Sequence, residues 1–247
     1  MKATATKRDL QCWRQSDPNV NDAWWWLGVP GAIAGLLFAL TLWAPAFYVQ
    51  EMQPEHTGWL ERAHFVLPLC AGLLFLRSAA NDAVAAIRLL RPALILLATA
   101  AIYWALEEES YGQHFFQWDT PDPWSALNKQ NETNLHNTSW WLAQLPRSLL
   151  IGGIIAGGLI LPLVRRAIGG LRPEALDFLT PPLAIIPSAL AVLIWKAFDD
   201  VAALNAIVRW PDGYRPGEAN ETFYAVFLLV YAVMISRRCA ALTRGAA

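Results

Sequence analysis

The run Glu107-Glu108-Glu109-Ser110-Tyr111-Gly112-Gln113-His114 sets three consecutive carboxylates and an imidazole in one short stretch. Continued as a helix, it would stack Glu107, Tyr111 and His114 on one face, at spacings of four and three. A turn at Asp119-Thr120-Pro121 follows, and Asp122-Pro123 reads as the N-cap and first residue of a new helix. In helical register Asn128, Glu132 and His136 line one face of that helix. A carboxylate and an imidazole one turn apart, such as Glu132 and His136, present two ligands to one divalent metal. Glu108 or Glu109, His114 and His64 would complete the shell. The same groups suit proton transfer, with a buried Glu as acid or base and a His or a metal-bound water as its partner. The chain has no HExxH or three-histidine pattern. An ion-pair network in which Arg62, Arg147 or Lys196 neutralises the carboxylates is the competing account.

The elements that must position these groups are apolar. Of 247 residues 55% are hydrophobic and only 16% charged, with a mean hydropathy of +0.30. A soluble domain of this length carries about 25% charged residues, so the composition places the chain among membrane proteins. Apolar stretches recur at Trp24–Val49, Trp59–Leu76, Pro92–Leu106, Trp140–Val164, Pro182–Phe198 and Thr222–Ile235, separated by Pro, Gly and charge. The first resembles a signal peptide only loosely, at Ala44-Pro45-Ala46. Its apolar run is too long and its polar leader too extended, so it reads as an uncleaved signal anchor. Many of the thirteen Trp residues fall where apolar runs end, including Trp24, Trp25, Trp26, Trp59, Trp118, Trp140, Trp141, Trp195 and Trp210. That distribution is the aromatic belt of a membrane interface, whereas Trp43 and Trp104 read as core. Cys12, Cys70 and Cys239 form no CxxC pair, which argues against a disulfide framework or a thiolate metal site.

Orientation follows from Lys and Arg. Lys2, Lys7, Arg8, Arg14, Arg77, Arg88, Arg91, Arg165, Arg166, Arg172, Arg237, Arg238 and Arg244 fall on one side of the six stretches. Arg62, Lys129, Arg147, Lys196, Arg209 and Arg215 fall on the other. The first, larger set is cytoplasmic by the positive-inside rule. The expected fold is an all-α integral membrane protein of about six transmembrane helices, N-in and C-in, with an outward-facing polar lid between helices 3 and 4. Residues 1–23 form a cytoplasmic segment, 24–236 the transmembrane domain with its polar extracytoplasmic segment 107–139, and 237–247 a cytoplasmic tail. The expected location is a cytoplasmic membrane, with both termini on its cytoplasmic side.

Several of the apolar runs are short. Pro92–Leu106 rises about 22 Å as a helix, against a hydrocarbon core about 30 Å thick. Glu107, Glu108 and Glu109 therefore fall below the outer surface, as do Glu61, Arg62 and His64. Glu221 and the group Lys196, Asp199 and Asp200 join them. Charges at that depth must face protein or water, so they are expected to converge on a shared cavity. The amide-rich segment from Asn128 to Asn137 is expected to fold over it.

Two runs, Glu108-Glu109-Ser110-Tyr111-Gly112-Gln113-His114-Phe115-Phe116 and Asn128-Lys129-Gln130-Asn131-Glu132-Thr133-Asn134-Leu135-His136-Asn137, resemble a signature of bacterial multi-pass membrane proteins with no established activity. The pattern is E-E-x-S-x-G-Q followed by N-x-Q-x-E-x-N-L-H-N. The resemblance implies a bacterial origin and a functional motif, and it implies no mechanism.

Three functional classes remain open. The first is a hydrolase or transferase acting on a lipid or lipid-linked substrate at the outer leaflet, with Glu108, Glu109, His114, Glu132 and His136 at its centre and a divalent metal as candidate cofactor. The second is a non-catalytic accessory or assembly subunit of a larger membrane complex. Gly153 and Gly157 form a GxxxG pair that would suit contact with a partner or a second copy. The third, a transporter, has neither a charge near the middle of a span nor an inverted repeat to support it. Membrane lipids are expected partners, and nucleic acid is not. Reporter fusions after Arg91 and after Trp118 should report opposite sides of the membrane, and one side for both would overturn the six-span topology.

Overall fold

The computed structural model describes residues 13–14, 17, 24–55, 57–128, 130–203 and 213–245. Cys12, Lys2, Lys7, Arg8, Lys129, Arg209, Trp210 and the side chains of Trp25 and Trp26 lie outside the described residues. Six principal helices run through the described chain, with no strand: α1 (Val29–Trp43), α2 (Trp59–Ala79), α3 (Leu90–Glu108), α4 (Trp140–Ile168), α5 (Ile186–Ala203) and α6 (Pro216–Gly245). Four of them, α2, α3, α4 and α6, are long and apolar enough to cross a membrane. A fifth qualifies if α1 and the helical piece Pro45–Met52 are one span.

Those two pieces meet at 112°, so Trp24–Val49 is not the single straight span expected from its hydropathy. The break lies at Ala44, whose φ and ψ of −138° and 53° leave the helical region. Pro45 explains it, because a proline ring crowds the helical conformation of the residue before it. The fifth stretch also departs from expectation. Helix α5 begins at Ile186, after a turn over Leu183–Ile185, and carries Lys196, Asp199 and Asp200 in its second half. Its composition leaves it out of the helices apolar enough to span.

Helix α6 is the hub. Within its apolar window 56% of residues are buried, against 33% for α2 and α3 and 17% for α4. It packs along α2 and α5, and α2 packs along α3. One apolar cluster joins Phe75, Leu90, Leu94, Phe178 and Ile235. A second, at the other end of the bundle, joins Leu37, Leu60, Ile154, Trp195 and Phe223. Trp195, expected in the interfacial belt, is core at 8% exposure, and Trp43, expected in the core, is 84% exposed.

The end of the bundle that holds the first cluster is tied by charge. Arg238 is fully buried and donates through Nε to Asp17 at 2.6 Å and through Nη1 to the carbonyls of Phe178 and Thr180. Its guanidinium lies 4.6 Å from the Trp13 ring centroid, and Arg165 lies over the same ring. This cage pins Trp13, the short helix Glu174–Leu179 and the end of α6 together. Nη2 lies 2.6 Å from the same Asp17 carboxylate without hydrogen-bond geometry, so the ion pair and the Trp13 ring complete the cage around this buried charge.

At the other end the register of α2 against α3 matters most. Gly72 is where they approach: a Cβ there would meet Ile102 Cγ1 at 2.6 Å and the carbonyl oxygen of Ala98 at 3.2 Å. His64 lies two turns before Gly72 on α2, and Glu108 closes α3, so this contact sets their separation. Gly72→Val should destabilise the fold by about 1–3 kcal/mol, read as a lower Tm in detergent. Gly152, with nothing within 4 Å of its Cβ position, is the control. Gly152→Ala should stay within about 1 kcal/mol of wild type, on the stabilising side.

Candidate functional site

Helix α3 ends at Glu108, and the chain does not continue helically to His114. Ser110, Tyr111 and Gly112 take positive φ of 44°, 57° and 101°. Tyr111 still reaches back, its hydroxyl donating to Glu107. His114 does not share that face and lies instead 3.7 Å from Glu132. The second expected helix is also short. Asp122–Ser125 makes one turn, and 126–128 and 130–135 are irregular. The reason is local. Asn128 Oδ1 accepts from the backbone N–H of Gln130 (2.9 Å) and Glu132 (3.3 Å), and its Nδ2 donates to Asn134 O (3.0 Å). Side chains that bond their own backbone in this way compete with the helix ladder. Glu132 and His136 are therefore not a one-turn pair on a helix.

The loop is instead a folded polar body. Glu132 is buried and accepts from Ser110 (3.2 Å), Asn137 (3.0 Å) and Asn134. Gln113 Oε1 accepts from the backbone N–H of Thr133 at 2.7 Å and from its hydroxyl at 2.9 Å. Glu107 Oε2 takes three contacts from the far end: the backbone N–H of Leu135 (2.9 Å), that of His136 (2.8 Å) and His136 Nδ1 (3.1 Å). Burial disfavours the charged imidazole of His136, but the hydrogen bond to Glu107 and the nearby Glu108 and Glu132 outweigh it, raising its pKa above the ordinary value. Glu109 is buried at the base of the same segment.

Beside this loop, the starts of α2 and α6 and the end of α3 bring a second acidic group together. His64 is fully buried, with Nε2 3.0 Å from Glu218 O and 2.9 Å from Thr222 Oγ1. Its Nδ1 lies 3.9 Å from one carboxylate oxygen of Glu218 and 3.9 Å from one of Glu221. The other oxygen of Glu218 is paired with Arg215, and that of Glu221 with Arg147. Trp104 donates to Glu108 at 2.8 Å. Two trios, Glu61/His64/Glu108 and His64/Glu218/Glu221, each hold their possible ligand atoms within 4.8 Å of one another.

Carboxylates of both groups line one end of a cavity of about 1130 Å³, with His64 buried behind them. Glu61, Glu107, Glu108, Glu132, Arg147 and Glu221 mark its polar rim. Beyond the rim its walls turn apolar, through Leu97, Leu150, Ile154, Phe227 and Leu228, as far as Leu176 and Leu179. From Arg147 to Leu161 along α4 that is a depth of about 20 Å. In this stretch α4 widens into a π-helical segment, Ile154–Ile160. Gly153 and Gly157 form part of the wall, with nothing within 4 Å of either Cβ position. Gly158 is the glycine that packs, against Ala189 and Phe227.

Among the expected residues, His64 and Glu108 meet in the second group, while His114 with Glu132 and His136 with Glu107 form separate pairs. Lys196, Asp199 and Asp200 do not line the cavity, and Lys196 pairs with Asp200 one turn along α5. Arg62 stacks over Trp59. Glu61, Glu218 and Glu221 were missing from the expected centre. Their signal was their position, each at the start of an apolar helix.

Because His136 has a raised native pKa, the sign of its pH effect is fixed. The charged pair with Glu107 contributes fully below the unfolded value of about 6.5 and is lost as pH climbs through the native value. The Tm should fall as pH rises from about 6.5 through the native value, and His136→Gln should remove that part of the slope. An identical slope in the variant would show that the pair is not the cause. No protein-family model matches the chain, and neither a curated protein nor a solved structure does.

Proposed function

We propose that the protein is a bacterial inner-membrane hydrolase or transferase that takes a lipid or lipid-linked substrate into this cavity from the outer leaflet. In this reading all six stretches traverse the membrane, the termini are cytoplasmic, and residues 107–139 form a lid on the outer side. The observation that carries it is the cavity's polarity. Its charged rim suits a headgroup and the remaining depth is apolar, the distribution of an amphiphile. The volume is at the upper end for small-molecule sites, about 300–1,000 Å³.

Catalysis at the rim would be acid–base. For hydrolysis, a carboxylate such as Glu108 accepts a proton from water, and the water oxygen bonds to the ester or phosphoester centre. The leaving oxygen takes a proton from a second group, with His136 and Glu107 within the same rim. The accessory-subunit reading draws less support. A partner helix laid on Gly153 and Gly157 would have to enter the cavity they line.

Gly157→Leu tests the reading, because its side chain would project into open space. Native mass spectrometry of the purified wild type should show retained lipid. Gly157→Leu should lose at least about nine-tenths of it, a difference of about 1.4 kcal/mol in affinity, at unchanged Tm. Equal lipid retention in the two proteins would overturn the proposal. Glu108→Gln should keep the lipid but abolish the change that wild-type protein makes to an added lipid extract.

A further inference from the structure

We infer that His64, Glu61, Glu108, Glu218 and Glu221 form a binding site for a single divalent metal cation at the rim of the cavity. The inference starts from one nitrogen atom. His64 Nε2 faces the Glu218 carbonyl and the Thr222 hydroxyl, and Thr222 already donates its own hydrogen to that carbonyl at 3.0 Å. Both neighbours are therefore acceptors toward the ring, and Nε2 must carry the proton. In the neutral ring Nδ1 is then a bare lone pair. It is fully buried, has no hydrogen-bond partner, and points at the carboxylate oxygens of Glu218 and Glu221. A lone pair aimed at negative oxygens calls for a cation between them.

The ring's other contact is the usual support for that role. Metal-ligating histidines donate the remaining N–H to a backbone carbonyl or carboxylate, which fixes tautomer and orientation. The carboxylates are held likewise, one oxygen apiece: Glu218 by Arg215, Glu221 by Arg147, Glu108 by Trp104. Glu218 also contacts Glu61, a contact that a shared metal would bridge, and the second oxygens of Glu221 and Glu108 remain for it.

Charge gives an independent argument. Four carboxylates face two guanidiniums, and Glu61 and Glu218 stand in hydrogen-bond contact, which two carboxylates make only with a proton or a cation between them. Glu55, which shares Arg215 at 2.9 Å, is half exposed and screened by water. A divalent cation closes the balance. Spacing agrees too. Ligand atoms around a tetrahedral ion with bonds of about 2.0–2.1 Å are about 3.4 Å apart. The 3.9 Å separations need only a small contraction. One imidazole with several carboxylates suits a borderline ion, zinc or manganese, rather than a soft one.

The site departs from the ligand set expected along 107–137. Glu132, His114 and His136 are engaged in the loop's own pairs. It also stands apart from the lipid reading, since lipid retention reports the apolar depth and metal content reports the rim.

The test is elemental analysis of the full-length detergent-purified protein, followed by chelator stripping and titration with Zn2+ and Mn2+. About one equivalent of one divalent metal should be bound, and adding it to the stripped protein should raise Tm. Co2+ loading should give a d–d absorption band. Glu221→Gln and His64→Gln should each lower affinity by at least about tenfold, while Glu132→Gln and His136→Gln keep the metal. Stripped wild type that neither binds Zn2+ or Mn2+ nor shifts in Tm would overturn the site, whether or not the variants fold. Metal lost from the loop variants and kept by Glu221→Gln would overturn the ligand set.

Discussion

Charge buried among helix ends has no solvent to fall back on, so protein must answer every such group or the helices cannot stay where they are. Most of the arrangement at the rim follows from this. Helix α2 begins with Glu61 and His64, α3 ends with Glu107 and Glu108, and α6 begins with Glu218 and Glu221. Two of these carboxylates find a partner one turn away, Glu108 in Trp104 and Glu218 in Arg215. The rest of the compensation needs the ends to meet, with Arg147 brought from α4 to Glu221 and His64 set against Glu218 and Glu221. The hydrogen bond from His64 to the Glu218 carbonyl is the buried link in that meeting, joining α2 to α6 across 154 positions of sequence.

The opposite end solves the same problem with the signs reversed. There the buried group is cationic, Arg238, answered by Asp17, two carbonyls and the Trp13 ring. Between the two ends the described residues pack mainly through apolar side chains, with the Tyr231 hydroxyl donating to the Leu179 carbonyl at 2.8 Å as a polar tie. Along the cavity that packing is thin, with a π-helical stretch and two glycines of α4 facing open space. Rigid polar ends and a loosely filled middle are consistent with a binding cleft. A bundle optimised for stability alone would fill that space.

The sequence was legible where hydropathy dominates. The helices α2, α3, α4 and α6 lie where apolar runs stand, and Lys196, Asp199 and Asp200 explain why α5 is less clear. The short apolar run before Glu107 pointed to carboxylates that needed company, and Glu61, His64, Glu108 and Glu221 do meet. Local geometry was not legible. Periodicity suggested helices through Tyr111 and through Glu132, but it could not weigh the Asn128 side chain against the backbone ladder. Glu218 and Arg215 carry no motif either, and their role comes from tertiary approach.

The loop between α3 and α4 holds four non-glycine residues, Ser110, Tyr111, Gln117 and Asn131, at positive φ. Each such conformation costs about 1–3 kcal/mol and persists only when its surroundings enforce it. Here the enforcement is one interlocked set of bonds through Glu107, Gln113, Asn128 and Glu132. Breaking any part releases strain that the remainder cannot hold, so the segment has no comfortable half-open form. Any opening of this loop is then a cooperative release of the whole segment rather than the rotation of one side chain.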